Sequence, residues 1–110
     1  VIQAAVDSGK LAIGVDSNQN GIAPGFVLTS MLKRVDVAAY ETFMDAKNGT
    51  FSSGIRVLGV AEGGVDWAVD DNNASLITDK IKSAVETARS DILSGKVAVH
   101  NYESDSSCPY

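Results

Sequence analysis

Cysteine, histidine and tryptophan occur once each in the 110 residues, as Cys108, His100 and Trp67. A single thiol makes no internal disulfide, and one thiol with one imidazole is too few for a structural zinc site. Basic residues are also scarce: nine Lys and Arg stand against fourteen Asp and Glu, for a net charge of −5. No basic run occurs, so nucleic acid is excluded as a partner, because phosphate backbones are held by clustered Lys and Arg. No apolar run approaches the roughly 18 residues of a membrane-crossing helix. There is no Gly-rich phosphate loop, since Gly63-Gly64 joins two strand-like stretches and opens no helix. Asp66, Asp70 and Asp71 lack the spacing and closing Glu of a calcium loop, and read as a charged turn. His100 has no nucleophile or carboxylate at a recognisable spacing, so no catalytic triad is expected. No cofactor, metal site or catalytic residue is expected.

What remains is an ordinary soluble composition, 45% hydrophobic and 21% charged, in a length that allows one domain. The pattern predicts an α/β fold. Residues 1–8 read as the end of a helix, closed by Gly9, and the opening at Val1 within a helical pattern is the expectation for a piece of a longer protein. Residues 11–15 are a short apolar run, expected to be a central parallel strand buried on both sides. A polar loop follows over residues 17–25, then a strand over 26–28. A helix over about 31–47 comes next, with Thr29 or Ser30 as N-cap and Lys33 in its first turn. Leu32, Val35, Ala39, Phe43 and Ala46 form the stripe expected to be buried. Residues 55–60 and 65–69 read as a strand pair, 78–94 as a second long helix ending at Gly95, and 96–100 as a short terminal strand or an extended tail docking on one. Domain organisation is then residues 1–100 as α/β body and 101–110 as a flexible tail.

Asp16 and Lys33 are the leading candidate site. Each stands where an apolar strand runs out, and open α/β sheets bind ligands beyond the carboxyl ends of their strands. A carboxylate accepts two hydroxyl hydrogen bonds, as from a vicinal diol, and an ammonium offers three donors. A Lys in a helix's first turn also opposes the helix dipole. The plainer reading is a loop cap, or a part-exposed ion pair of little energetic worth. Ser17, Asn18, Gln19 and Asn20 line a polar pocket or form a solvated turn, and Trp67 and Tyr40 stack a ring or pack.

The run IGVDSNQ (13–19), then APG (23–25), then VLTSMLKRVDVA (27–38), resembles the basic membrane protein family of bacterial solute-binding lipoproteins, which includes purine nucleoside receptors of ABC importers. LGVAEGGVDWA (58–68) and DILSGKV (91–97) resemble the same family's closing segments. The resemblance covers nearly the whole chain and implies the C-terminal third of a type I periplasmic-binding-protein fold, a three-layer α/β architecture. In that fold two lobes close on a ligand between them. By resemblance, Asp16 holds ribose hydroxyls and Lys33 reaches the ligand. Asn18 stands where the family usually has an acidic residue. The Gly-rich loop, the aromatics that sandwich a base and the opposite lobe lie outside this sequence.

The resemblance thus implies a nucleoside-binding component of an ABC importer, with a membrane permease as partner and no enzymatic turnover. Its location would be periplasmic or lipid-anchored to the cell membrane. The alternatives are the ligand-sensing domain of a transcriptional regulator built on the same fold, and an α/β enzyme fragment. Half a site predicts weak or no binding by this chain alone. Surface meant for absent parts predicts self-association of the isolated chain.

Overall fold

The apolar run after Gly9 forms a strand, as its composition predicts, and it sets the frame for everything after it. A computed structural model describes residues 1–108. Helix α1 (Ile2–Asp7) turns at Gly9 into strand β1 (Ala12–Asp16). Residues 17–26 carry the chain back, with a 3-10 turn at Asn20–Ile22, into strand β2 (Val27–Lys33). β1 and β2 are parallel and adjacent. Parallel neighbours are usually joined by a dozen or more residues, mostly as a helix. The shorter return here lies directly on the sheet, against Gly14, as described below.

The chain continues through helix α2 (Val35–Asn48), strand β3 (Val65–Trp67), helix α3 (Asp79–Leu93) and a helical turn α4 (Tyr102–Asp105). β3 pairs antiparallel with β2, with Met31 opposite Trp67 and Lys33 opposite Val65. The sheet order is β1-β2-β3. The α/β class predicted from the pattern is the class observed.

Five expectations need correction. Met31, Leu32 and Lys33 belong to β2 and not to a helix, because pairing with β1 on one side and β3 on the other extends the strand to Lys33. Lys33 therefore does not oppose a helix dipole. Thr29 and Ser30 cap no helix: Thr29 Oγ1 donates to the Ala68 carbonyl and Ser30 Oγ to Asn20 Oδ1. Residues 55–60 form no strand, and β3 pairs with β2 instead. Residues 96–100 form no strand either, and the expected tail holds the α4 turn, capped by Asn101. Residues 109–110 lie outside the described residues.

Burial also differs from the pattern. In β1 only alternate positions are buried, Ala12 and Gly14, while Leu11, Ile13 and Val15 are at least half exposed. In α2 the predicted stripe faces solvent, with Phe43 77% exposed. The half-buried face carries Val37, Ala38, Glu41, Met44 and Asp45. On that face Arg56 of the following segment reaches Glu41 at 3.1 Å and Asp45 at 2.9 Å. Ile81, Val85 and Ile92 of α3 are half-buried, Ala84 and Ala88 exposed.

Among the described residues Ala12, Val27, Ala68 and Ile77 are the buried hydrophobic ones, and Asn20, Ser30 and Asn73 are as deeply buried. A buried polar group is costly unless hydrogen-bonded. These three meet that demand through one another and through backbone carbonyls.

Candidate functional site

β1 and β2 run side by side in the same direction, so their carboxyl ends share one edge of the sheet. β1 ends at Asp16 and β2 at Lys33. Lys33 Nζ lies 2.8 Å from Asp16 Oδ1, with both side chains more than half exposed. The pairing that moves Lys33 from helix to strand is what brings it beside Asp16.

Asp16 sits in an uncommon backbone state. Its φ is +73°, in the left-handed region, and Ser17 N donates to the Val15 carbonyl at 3.0 Å across it. A three-residue turn closed around a positive-φ centre is the rarer, strained γ-turn. Asp tolerates positive φ better than most residues, since its short polar side chain bonds locally. Strain of this kind persists only where the surroundings hold it, and it clusters at functional sites.

The surroundings are dense. Gln19 folds back so that Oε1 accepts from Val15 N at 3.0 Å, while Gln19 N donates to Ser30 Oγ at 2.9 Å. Ser30 Oγ in turn donates to Asn20 Oδ1 at 2.9 Å. Asn18 Nδ2 and Asn20 Nδ2 both reach Asp70 Oδ2, at 2.7 and 3.1 Å. Asn72 donates to Asp70 Oδ1 through its backbone and its amide. Asn73 Nδ2 bonds the carbonyls of Leu28 and Ala68. The Asp70 carboxyl is held below its ordinary pKa, first by the Asn18 amide and then by the Asn72 backbone N–H, both favouring its charged form.

An open cleft of about 630 Å³ lies at this sheet edge, lined among others by Asp16, Ser17, Asn18, Lys33, Arg34 and Asp36. Arg34 and Asp36 form a forked pair, with Nε–Oδ1 at 3.0 Å and Nη2–Oδ2 at 2.8 Å. That hydrogen bonding raises the Arg34 pKa and lowers that of Asp36. The cleft can therefore offer a carboxylate, an ammonium and a fixed guanidinium–carboxylate fork to a polar solute.

The structure brings Asp16 and Lys33 together as a part-exposed ion pair, an arrangement that both the binding reading and the plainer ion-pair reading expect. Ser17 and Asn18 line the cleft, whereas Asn20 is buried as part of the support and Gln19, half-buried, bonds Val15 N and Ser30 Oγ and lines a different cleft beside α1. Trp67 lines a crevice between β3 and α3 with Val85 and Ala88, and Tyr40 is 67% exposed on α2. Neither lines the cleft. Asp66 pairs with Arg89 of α3, and Asp70 serves the network. Arg34, Asp36 and Asp70 are cleft or supporting residues that sequence reasoning missed. The signal available for Asp70 was the density of Asn at 18, 20, 72 and 73 on either side of the sheet strands.

Comparison with known proteins adds the family. Residues 1–101 match the family model "Bmp: ABC transporter substrate-binding protein PnrA-like". The ABC transporter nucleoside-binding protein BmpA of Lactococcus lactis is 35% identical over 95 residues, covering 86% of this chain and 26% of that protein. An uncharacterized lipoprotein of Pyrococcus abyssi is 43% identical over 61 residues, covering 54% of this chain and 15% of that protein. The chain thus spans about a quarter or less of these relatives. A crystal structure of an ABC transporter solute-binding protein from Aeropyrum pernix superposes with a TM-score of 0.63 at 24% identity, covering 92% of this chain and 37% of that one, a likeness of fold. This chain belongs to the Bmp family of PnrA-like ABC transporter substrate-binding proteins.

Proposed function

We propose that this chain supplies part of one lobe of the solute-binding component of an ABC importer, and that Asp16 and Lys33 hold its solute, a purine nucleoside. The observation that carries the reading is the 2.8 Å pair at the shared carboxyl edge of two parallel strands, at the mouth of an open cleft. Ligands of open α/β sheets bind at such edges. The two Asp16 oxygens suit the vicinal hydroxyls of a ribose, and Lys33 suits a carbonyl oxygen or ring nitrogen of the solute. Because the two charges balance each other, an arriving solute exchanges partners and does not meet a bare charge.

The Lactococcus lactis relative is named for nucleoside binding and the Pyrococcus relatives as lipoproteins. Both support a membrane-anchored, extracytoplasmic protein that passes its solute to a membrane permease. The family is one of solute-binding proteins, so the role is capture and release without turnover. A regulator's sensor lobe has no observation in its favour.

The test is calorimetric titration of purine and pyrimidine nucleosides into the full-length protein, with Asp16→Asn and Lys33→Met in parallel. A purine nucleoside should bind, and each substitution should weaken it by about tenfold or more. Unchanged affinity in both variants would remove the pair from the site. No binding of any nucleoside would overturn the solute class.

A further inference from the structure

We propose that Asp70, on the turn after β3, is a positioning residue for the ligand site, fixing through Asn18 and Asn20 the loop that presents the Asp16 carboxylate to Lys33. The inference rests on the proposed role of Asp16. It concerns a residue that stands outside the cleft lining and would itself touch no solute.

Three observations carry it. First, Asp16 lies at the tip of a small loop that is already closed on itself. Gln19 Oε1 accepts from Val15 N, and Ser17 N donates to the Val15 carbonyl. With both flanks of Asp16 tied, its orientation follows that of residues 18–20. Second, those residues have three anchors on the rest of the fold, the longest being Asn20 Nδ2 to the Ala68 carbonyl at 3.4 Å. Ser30 Oγ in β2 takes Gln19 N, and Asp70 Oδ2 takes the amides of Asn18 and Asn20. Asn20 is fully buried, so it cannot exchange the Asp70 bond for water without opening the core. Third, Asp70 is itself pinned by partners of both kinds in its own turn, an acceptor on Asn73 and donors on Asn72. Its backbone N–H donates to Asn73 Oδ1, and Asn72 donates twice to Asp70 Oδ1. Asn73 then ties that turn to the carbonyls of Leu28 and Ala68.

The chain of contacts therefore runs from Leu28 in β2 and Ala68 just after β3 through Asn73 and Asp70 to Asn18, which is two residues along the backbone from Asp16. It holds a positive-φ carboxylate that would otherwise relax away from Lys33. A binding group preset in this way costs less ordering when the solute arrives. Small misplacements of such a group are expensive.

The experiment is a double-substitution cycle in the full-length protein, read by calorimetry, beside hydrogen exchange of the same variants without solute. Asp70→Asn should weaken nucleoside affinity about tenfold in the wild-type background, and by little in an Asp16→Asn background, because coupled residues give non-additive effects. It should also speed amide exchange at Val15, Gln19 and Asn20 while leaving α3 unchanged. The exchanged pair Asn18→Asp with Asp70→Asn swaps donor and acceptor across the 2.7 Å contact. It should recover much of the affinity. An Asp70→Asn penalty equally large without the Asp16 carboxylate would overturn the positioning role, as would unaltered exchange over residues 15–20. If the wild-type protein binds no nucleoside, the proposed function fails, while the exchange measurement still decides whether Asp70 holds the loop.

Discussion

Gly14 stands where a side chain does not fit. A Cβ there would lie 2.5 Å from Ser30 Oγ and 2.9 Å from Gln19 Cβ and Oε1. The short return between β1 and β2 passes over the sheet at this point, so the missing side chain is what lets Gln19 reach Val15 N. Ser30 is fully buried and cannot swing outward to make room. Gly14→Ala should therefore destabilise the protein by about 1–3 kcal/mol, the range for forcing extra carbon into a packed site. A lowered midpoint in urea unfolding checks it, and an unchanged midpoint would show that the loop can lift off the sheet without cost. The same residue shows where sequence reading ends. IGVD reads as strand because it ends a short apolar run, but the need for glycine comes from Gln19 and Ser30, contacts that only the folded chain creates. Asp16 was legible because a carboxylate closing an apolar strand is a local signal. Its positive φ was not, since no neighbour in sequence demands it.

Helix α3 shows the opposite case, an element written almost wholly in local sequence. The residues read as helix, 78–94, differ from the observed Asp79–Leu93 by its flanking caps alone. Thr78 is extended, and its hydroxyl accepts from Ile81 N at 3.3 Å, which relieves one of the unpaired N–H groups of the first turn. Asp79 adds a favourable charge at the positive end of the helix dipole. Thr78→Ala should cost about 1 kcal/mol, and Thr78→Asp should cost little or nothing. Thermal unfolding of the two variants separates a capping role from a side-chain packing role. The boundary between β2 and α2 was illegible for the complementary reason. Met31, Leu32 and Lys33 suit either state by composition, and the choice is made by β1 and β3, which lie distant in sequence on the two sides of β2. The apolar stripe of α2 misled in a further way. Val35, Ala39 and Phe43 mark a face fit for burial, but the contact recorded from the following segment is on another face, where Arg56 pairs with Glu41 and Asp45. Charge pairing across a loop leaves no period in the sequence.

At the scale of the molecule the surface is larger than 110 residues need. The accessible area is 7908 Å², about 2,000 Å² more than a compact monomer of this size presents. The radius of gyration is 16.9 Å, against about 13 Å for a compact domain of equal length. Much of the excess is apolar: Ile13 is 60% exposed, Val15 50%, Phe43 77% and Val99 72%. Among the described residues β1 has a strand on one side only, so its other edge is open at Ile13, while at Val15 the backbone N–H and carbonyl are taken by Gln19 Oε1 and Ser17 N. The chain spans 26% of the Lactococcus lactis relative, so in a protein of that length other segments are available to cover these faces. For the 110 residues by themselves the available cover is a second copy. A standard interface hides about 800 Å² on each partner, well within the excess. The isolated chain should therefore sediment as a dimer or larger, with the monomer recovered on dilution. Ile13→Lys, which places a charge on the open face of β1, should shift it toward monomer at equal concentration. A monomer at every concentration would mean that the helices repack over the sheet in solution, and that the apolar faces of β1 and α2 find each other within one chain.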